Sequence, residues 1–253
     1  MNKSVDIRSD NLPAGGTTAA RPTKRWGMVI NLDRCVGCWT CAVACKMENN
    51  QPLGTWWNRI LTVGGDYIDT PAGTYPDVQK YYEPVSCQHC ENAPCVRVCP
   101  VGATYQRPDG LVLIDYDKCI GCRFCIAACP YGARAFNWRS PDYSATEGQP
   151  HGAKEVPVRP AGVTEKCTFC VHRLDQGKDP ICVEVCPVQA RMFGDLNDPN
   201  SQVAQVVRDG DAFRLREDLG TRPNVYYLPP KKSTRQRRGG YADLLTKAKL
   251  STR

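Results

Sequence analysis

The chain turns on residues 87–130, CQHCENAPCVRVCPVGATYQRPDGLVLIDYDKCIGCRFCIAACP. The second half places Cys119, Cys122, Cys125, Cys129 and Pro130 in a C-x2-C-x2-C-x3-C-P run, a spacing that ligates [4Fe-4S] clusters. The first half, Cys87, Cys90, Cys95, Cys99 and Pro100, repeats the run with two extra residues before the third cysteine, and nineteen residues separate Cys99 from Cys119. Two such runs so close together make one two-cluster unit.

The chemistry accounts for the spacing. A cubane takes four thiolates, and two cysteines two residues apart on a tight turn offer sulfurs to neighbouring irons while backbone N–H groups point inward. The fourth cysteine follows on a helix, proline arrests the chain behind it, and in this motif that cysteine ligates the other cluster. Crossed ligation therefore assigns Cys87, Cys90, Cys95 and Cys129 to one cluster and Cys119, Cys122, Cys125 and Cys99 to another.

Two further groups flank this unit. Cys35, Cys38, Cys41 and Cys45 form a third run, with Lys46 where proline is expected, so the following helix is predicted to continue through Lys46, Met47 and Glu48. The last group is Cys167, Cys170, Cys182, Cys186 and Pro187, a CxxC and a CxxxCP split by eleven residues. Taken alone it also suits tetrahedral zinc. Beside three cluster runs, only a fourth cluster completes the cysteine arithmetic. Crossed ligation then gives Cys35, Cys38, Cys41 with Cys186, and Cys167, Cys170, Cys182 with Cys45. The first and last motifs must close on each other around the central pair. The expected fold is α+β: two ferredoxin-like dicluster subdomains, nested and carrying loop-rich insertions.

Composition narrows the class. The 253 residues include 16 Cys, 21 Gly and 20 Pro, which describes a loop-rich chain whose metal supplies much of the core. Residues 1–25 have neither a charged n-region nor an apolar h-region, which predicts no signal peptide and favours metal binding over disulfides. No run approaches 18 apolar residues, so no membrane span is expected. The net charge of +7 ordinarily points to an anionic partner such as nucleic acid. Four thiolate-ligated clusters at about −2 each offset it, leaving the holoprotein near −1, so no nucleic-acid partner is expected.

The organisation reads as a flexible extension at 1–25, an outer subdomain at 26–48 plus 160–230, an insertion at 49–86, an inner subdomain at 87–135, an insertion loop at 136–159, and a basic tail at 231–253. Strands are predicted at 26–32, near 60–63, at 111–114 after the Arg107-Pro-Asp-Gly turn, at 156–158, and at 188–194. Residues 198–201 (DPNS) should cap a helix through Val207, residues 212–219 read as another stopped by Gly220, and 224–230 as extended. A helical turn or two is expected at 241–250 of the tail. Trp56 and Trp57 are assigned to packing or a subunit contact.

The cysteine order, with ACKMENN at 44–50, CIGCRFCIAACPYGA at 119–133, and EKCTFCVHR, CVEVCP and FGDLNDPNS within 165–201, resembles the four-cluster electron-transfer subunits of the DMSO reductase superfamily. The nearest likeness is to those of polysulfide, thiosulfate, tetrathionate and dimethyl sulfoxide reductases. The resemblance covers about 26–230 and implies a wire between a catalytic subunit holding a molybdenum or tungsten bis-pyranopterin and a quinone-reactive membrane anchor. It also implies that the first and fourth motifs face the catalytic subunit and the central pair faces the anchor. In the nitrate reductase branch the Cys122 position is tryptophan and that cluster is [3Fe-4S]; Cys122 here predicts four [4Fe-4S] clusters.

The expected location is peripheral on the cytoplasmic membrane, on the cytoplasmic face or carried to the other face by a co-exported partner. No catalytic residue is assigned, because the chain has no nucleotide-binding glycine motif and only three histidines. The alternatives are an iron-sulfur subunit of a formate dehydrogenase or hydrogenase complex, a free polyferredoxin, or a structural zinc protein. His89 and His172 are candidates for hydrogen bonds to cluster sulfur or, alternatively, are surface residues, and Lys46, Lys118 and Arg123 are placed similarly.

Overall fold

The computed structural model describes residues 24–64, 70–74, 78, 80–139 and 150–230. The order is β1 (Trp26–Asn31), α1 (Thr40–Glu48), β2 (Arg59–Val63), β3 (Tyr81–Val85), α2 (Pro94–Arg97), β4 (Thr104–Gln106), β5 (Val112–Ile114), α3 (Phe124–Ala127), β6 (Ala135–Phe136), β7 (Thr164–Glu165), α4 (Val171–Leu174), α5 (Ile181–Glu184), β8 (Arg191–Asp195), α6 (Gln202–Arg208) and β9 (Val225–Leu228). This is an α+β fold with short elements.

Cys-Pro pairs set the helix lengths. Helices α2, α3 and α5 each have four residues and stop just before Cys99-Pro100, Cys129-Pro130 and Cys186-Pro187, since a residue preceding proline is pushed out of the helical region. Helix α1 has no such stop and runs nine residues, through Lys46, Met47 and Glu48 as predicted.

Three strands form the largest sheet, in the order β8-β1-β9. Strand β1 pairs antiparallel with β8 (Met28 opposite Phe193) and parallel with β9 (Met28 opposite Val225). The remaining strands pair as β2-β3, β4-β5 and β6-β7, all antiparallel. One face of the large sheet buries Met28, Ile30, Val225 and Tyr227 in a core shared with cysteines from all four motifs. On the other face Val29 and Tyr226 pack with Val203 of α6. Helix α6 begins as its sequence dictates: Ser201 Oγ accepts from the Ala204 N–H at 3.2 Å.

Four local expectations are corrected. Residues 156–158 form no strand: the Val156 N–H turns back to the Ala153 carbonyl (2.9 Å), and Pro157 has no N–H to offer a ladder. Residues 212–219 yield only a 3-10 turn at Glu217–Leu219, because Phe213 exchanges backbone hydrogen bonds with Tyr227 (2.9 and 2.8 Å) and Arg216 adopts a left-handed φ of 51°. The strand expected at 188–194 starts three residues later, behind a turn in which Gln189 has φ 49°. Arg25, assigned to the flexible extension, is tied down: its N–H donates to Asp195 Oδ1 (2.8 Å) and its guanidinium to Asn224 Oδ1. The rest of the extension expected at 1–23, and the tail with its turn at 241–250, lie outside the described residues.

Glu83 on β3 is buried, and its Oε1 has no hydrogen-bond partner among the described residues. Burial pushes its carboxyl from 4.5 up to about 7. The folded state therefore binds this proton more tightly than the unfolded chain. The stability it carries is complete below about pH 4.5, falls as pH rises, and is lost above about pH 7, a span worth about 3 kcal/mol. Glu83→Gln should flatten this decline in the thermal midpoint of the iron-loaded protein between about pH 5 and pH 8; an unchanged pH profile would show that Glu83 is not its source.

Candidate iron-sulfur sites

The sixteen cysteines gather into four groups. Cys35, Cys38, Cys41 and Cys186 line one pocket together with Ile30, Ile60 and Arg191. Cys99, Cys119, Cys122 and Cys125 line another, beside Ile114, Arg123 and Thr164. Between them lie two groups that are buried except at Cys129. The Cys45 thiol is surrounded by Cys167, Cys170 and Cys182, and the Cys90 thiol by Cys87, Cys95 and Cys129.

Electrostatic coupling strings the groups in series. Cys182 lies within electrostatic reach of Cys41, and Cys167 of Cys87. The charge of Arg134 acts on Cys95 and on Cys125. The sequence is thus the Cys35 group, the Cys45 group, the Cys90 group, then the Cys119 group. The inner groups have no exposed cysteine, every thiol but the half-buried Cys129 being buried, whereas the end groups reach the surface through Cys38 and Cys122, both exposed.

Local backbone shape creates these cups. Trp39 and Arg123, each following the second cysteine of a run, take left-handed φ values of 62° and 63° and cap α1 and α3. Gly37 and Gly121 sit two residues earlier at φ 68° and 70°, where a side chain would strike Tyr82 or the Gly162 carbonyl. Alternating hands of this kind aim successive N–H groups into a concavity suited to negative charge. Backbone donors reach sulfur directly: Ala190 N to Cys186 Sγ (3.2 Å), Phe169 N to Cys167 Sγ (3.4 Å) and Thr104 N to Cys99 Sγ (3.5 Å). Gln51 Nε2 donates to Cys45 Sγ at 3.2 Å, and Asn49 Nδ2 lies 3.8 and 3.7 Å from Cys45 and Cys170 Sγ.

The donor set fits iron-sulfur cores on two counts. Burial, then the crowding of Cys167, Cys170 and Cys182, pushes the Cys45 thiol well up, and burial pushes Cys170 up to about 12. Such thiols ionise only when a strong cation takes the proton's place. The thiols also ring spaces rather than meeting at a point: among the described residues no three His, Cys, Asp or Glu side chains converge to grip a single metal ion, as a zinc site with bonds of about 2.3 Å requires.

Arg123 borders the Cys119 group, and the other histidines and cations singled out from sequence make the contacts that follow. His89 is fully buried, which corrects the surface alternative. Its Nδ1 accepts from the Val112 N–H (3.1 Å), its ring stacks on Phe169 (3.8 Å between centroids), and burial followed by the Lys166 charge holds it neutral. His172 Nε2 pairs with Glu48 (3.0 Å), Lys46 with the Pro52 and Thr55 carbonyls, and Lys118 with Asp115. Arg123 lies over Phe136 and Trp138. Trp57 is buried under Arg159, as a packing residue should be, while Trp56 packs edge-on against Trp39.

Sequence reasoning passed over Lys166, Arg134 and Arg191, all buried beside the thiols. A signal was present, since CPYGAR at 129–134 and CPVQAR at 186–191 each place arginine five residues after the last cysteine of a group.

Short elements wrapped around four thiol groups define an iron-sulfur protein of dicluster type. Residues 78–155 and 154–196 match the model of the 4Fe-4S dicluster domain. The chain is 53% identical over 209 residues (80% of this chain, 78% of the relative) to a putative iron-sulfur subunit of dimethyl sulfoxide reductase from Halobacterium salinarum. It is 42% identical over 231 residues (81% and 96%) to the arsenate respiratory reductase iron-sulfur subunit of a Shewanella species. It is 40% identical over 242 residues (87% and 94%) to the iron-sulfur cluster-binding subunit of menaquinone reductase of Nitratidesulfovibrio vulgaris. The chain belongs to the iron-sulfur subunits of the DMSO reductase superfamily. It is an electron-transfer subunit of a respiratory oxidoreductase complex and carries four [4Fe-4S] clusters.

Nine of the sixteen cysteines are buried, eight of them in the main core. Oxidative removal of the iron with a chelator should therefore abolish the cooperative thermal transition and most of the far-ultraviolet circular dichroism; retention of both would show that the apolar residues suffice for the fold.

Proposed function

We propose that this chain conducts electrons between a molybdopterin catalytic subunit, docked at the Cys35 group, and a quinone-reactive membrane anchor, docked at the Cys119 group. The observation that carries this reading is the contrast, along one series, between inner groups with no exposed cysteine and end groups that each expose one, Cys38 and Cys122. Each end is ringed by apolar surface of the kind that marks a contact: Val36, Trp39, Val43 and Trp56 at one, Ile120, Phe124 and Trp138 at the other. A relative named menaquinone reductase supports the quinone side. Relatives named for dimethyl sulfoxide and arsenate support an oxo-transfer substrate on the catalytic partner. Among the described residues no helix is long and apolar enough to cross a membrane, which supports peripheral attachment through the anchor.

The ligand sets of this reading are Cys35, Cys38, Cys41 and Cys186; Cys45, Cys167, Cys170 and Cys182; Cys87, Cys90, Cys95 and Cys129; and Cys99, Cys119, Cys122 and Cys125. Pairing of β1 with β8 supports the nesting of the first and fourth motifs around the second and third. When bound, each [4Fe-4S] core accepts and releases one electron. The chain's own residues hold these sites dry and in series, supply N–H donors to sulfur, and present two apolar docking surfaces.

Anaerobically purified protein should hold about sixteen irons with matching acid-labile sulfide, four per cubane; stoichiometric zinc instead would overturn the reading. Cys129→Ser should alter the EPR signal of the cluster of Cys87, Cys90 and Cys95, and loss of only the Cys119 cluster would show the crossed assignment wrong. Phe124→Ser with Trp138→Ser should release the subunit from the membrane fraction while the catalytic subunit still co-purifies. Loss of the catalytic subunit instead would reverse the orientation.

A further inference from the structure

Three buried cations have no carboxylate partner among the described residues. Arg191 is 5% exposed: Nη2 donates to Asn58 Oδ1 (3.0 Å), and Nη1 lies 3.5 Å from Met28 Sδ and 3.8 Å from Cys182 Sγ. Its charge acts on Cys182 and on Cys41 and Cys35, one group on either side. Arg134 is 7% exposed: Nη1 donates to Thr104 Oγ1 (3.3 Å), its guanidinium faces Cys95, and buried Nη2 has no nitrogen or oxygen partner among the described residues. Its charge acts on Cys95 and Cys87 and, across the next gap, on Cys125. Lys166 is 1% exposed, its Nζ donating to the Val112 and Cys167 carbonyls, and its charge reaches Cys95 in the neighbouring group.

A buried cation with neutral partners is costly unless an anion lies close. Among the described residues no carboxylate meets them, and the anions the site would supply are thiolate-ligated cores, each about −2 when oxidised and about −3 when reduced. One cation falls at each of the three gaps in the series. The repeated Cys-Pro-x-x-Ala-Arg segments build the two outer ones by the same local geometry, and β8 and the turn before β6 carry them inward.

Resting on the four-cluster reading above, we propose that Arg191, Lys166 and Arg134 each stand between two successive clusters and set their reduction potentials in pairs. A cation shared by two neighbours stabilises an electron on either one and offsets the repulsion that an electron on one exerts on the other. No bond is made or broken; each site gains one electron. Arginine suits the outer gaps because its charge is permanent. These are positioning charges and not conductors.

The test is an EPR-monitored redox titration of the assembled complex, with signals assigned through cysteine variants. Arg134→Met should lower the potentials of the Cys90 and Cys119 groups' clusters by at least tenfold in the equilibrium constant, about 59 mV for one electron, and leave the other two unmoved. Arg191→Met should give the reciprocal pattern, and Arg134→Lys should restore most of the loss. A shift in all four clusters, in one alone or in none, with iron content intact, overturns the proposal. So does an Arg134→Lys variant that falls as far as the Met variant. Should Arg134→Met fail to retain iron, Arg191→Met, and Lys166→Met on the inner pair, decide by the same criterion. Wild-type complex lacking the four clusters would instead overturn the reading on which the proposal rests.

Discussion

A buried thiolate is tolerable only while positive charge faces it, and that constraint governs this molecule. In most small proteins the interior is closed by apolar side chains. Here the main core mixes Met28, Ile30, Trp57, Leu111 and Tyr227 with eight cysteines. Without metal the thiols hold their protons, and the space they enclose has little to fill it. With iron bound, protons leave and four dense polyanions occupy the interior, which turns metal binding into folding energy. The backbone N–H groups aimed at sulfur, the amides of Asn49 and Gln51, and the buried cations all answer the same demand for positive potential.

The scaffold meets that demand with few regular elements. Three four-residue helices, α2, α3 and α5, each stop before a Cys-Pro pair whose cysteine is the last of its group. The stack of His89 on Phe169 joins the two halves, each residue preceding the second cysteine of its own motif. In the other two motifs that position is glycine, Gly37 and Gly121, because there the backbone passes too close to a neighbour for any side chain. The polar links between halves are built on side chains such as Arg159, which donates to the Asn49 carbonyl at 2.8 Å, meets Tyr116 at 3.1 Å and covers Trp57.

Cysteine spacing made the cluster type and the helix stops legible, since both follow from local chemistry. The Ser201 cap and the long α1 were legible for the same reason: a hydroxyl at an N-cap and a missing proline act within one turn. What escaped the sequence depends on partners far along the chain. Phe213 left a helical pattern to bridge Tyr227, a tertiary pairing that outweighs propensity. His89 looked like a residue for tuning sulfur, yet its buried nitrogen serves the Val112 N–H. Lys166 looked like any lysine beside a cysteine, and its burial is visible only once β5 closes over it. The arginines of the repeated Cys-Pro-x-x-Ala-Arg segments were readable in principle, but only by aligning the chain with itself.

The sheet order has a consequence for biosynthesis. Strand β1 is the first element of the described chain, yet both of its partners, β8 and β9, come from residues 191–228. As the chain leaves the ribosome, β1 waits through more than half of the protein with its edges unpaired, while residues 87–130 are complete long before. Loop-closure entropy makes the late step slow relative to the local one. The inner half is thus the early-folding unit, and the outer half, with β1 still unpaired on both sides, is the part that must be kept from aggregation until synthesis ends.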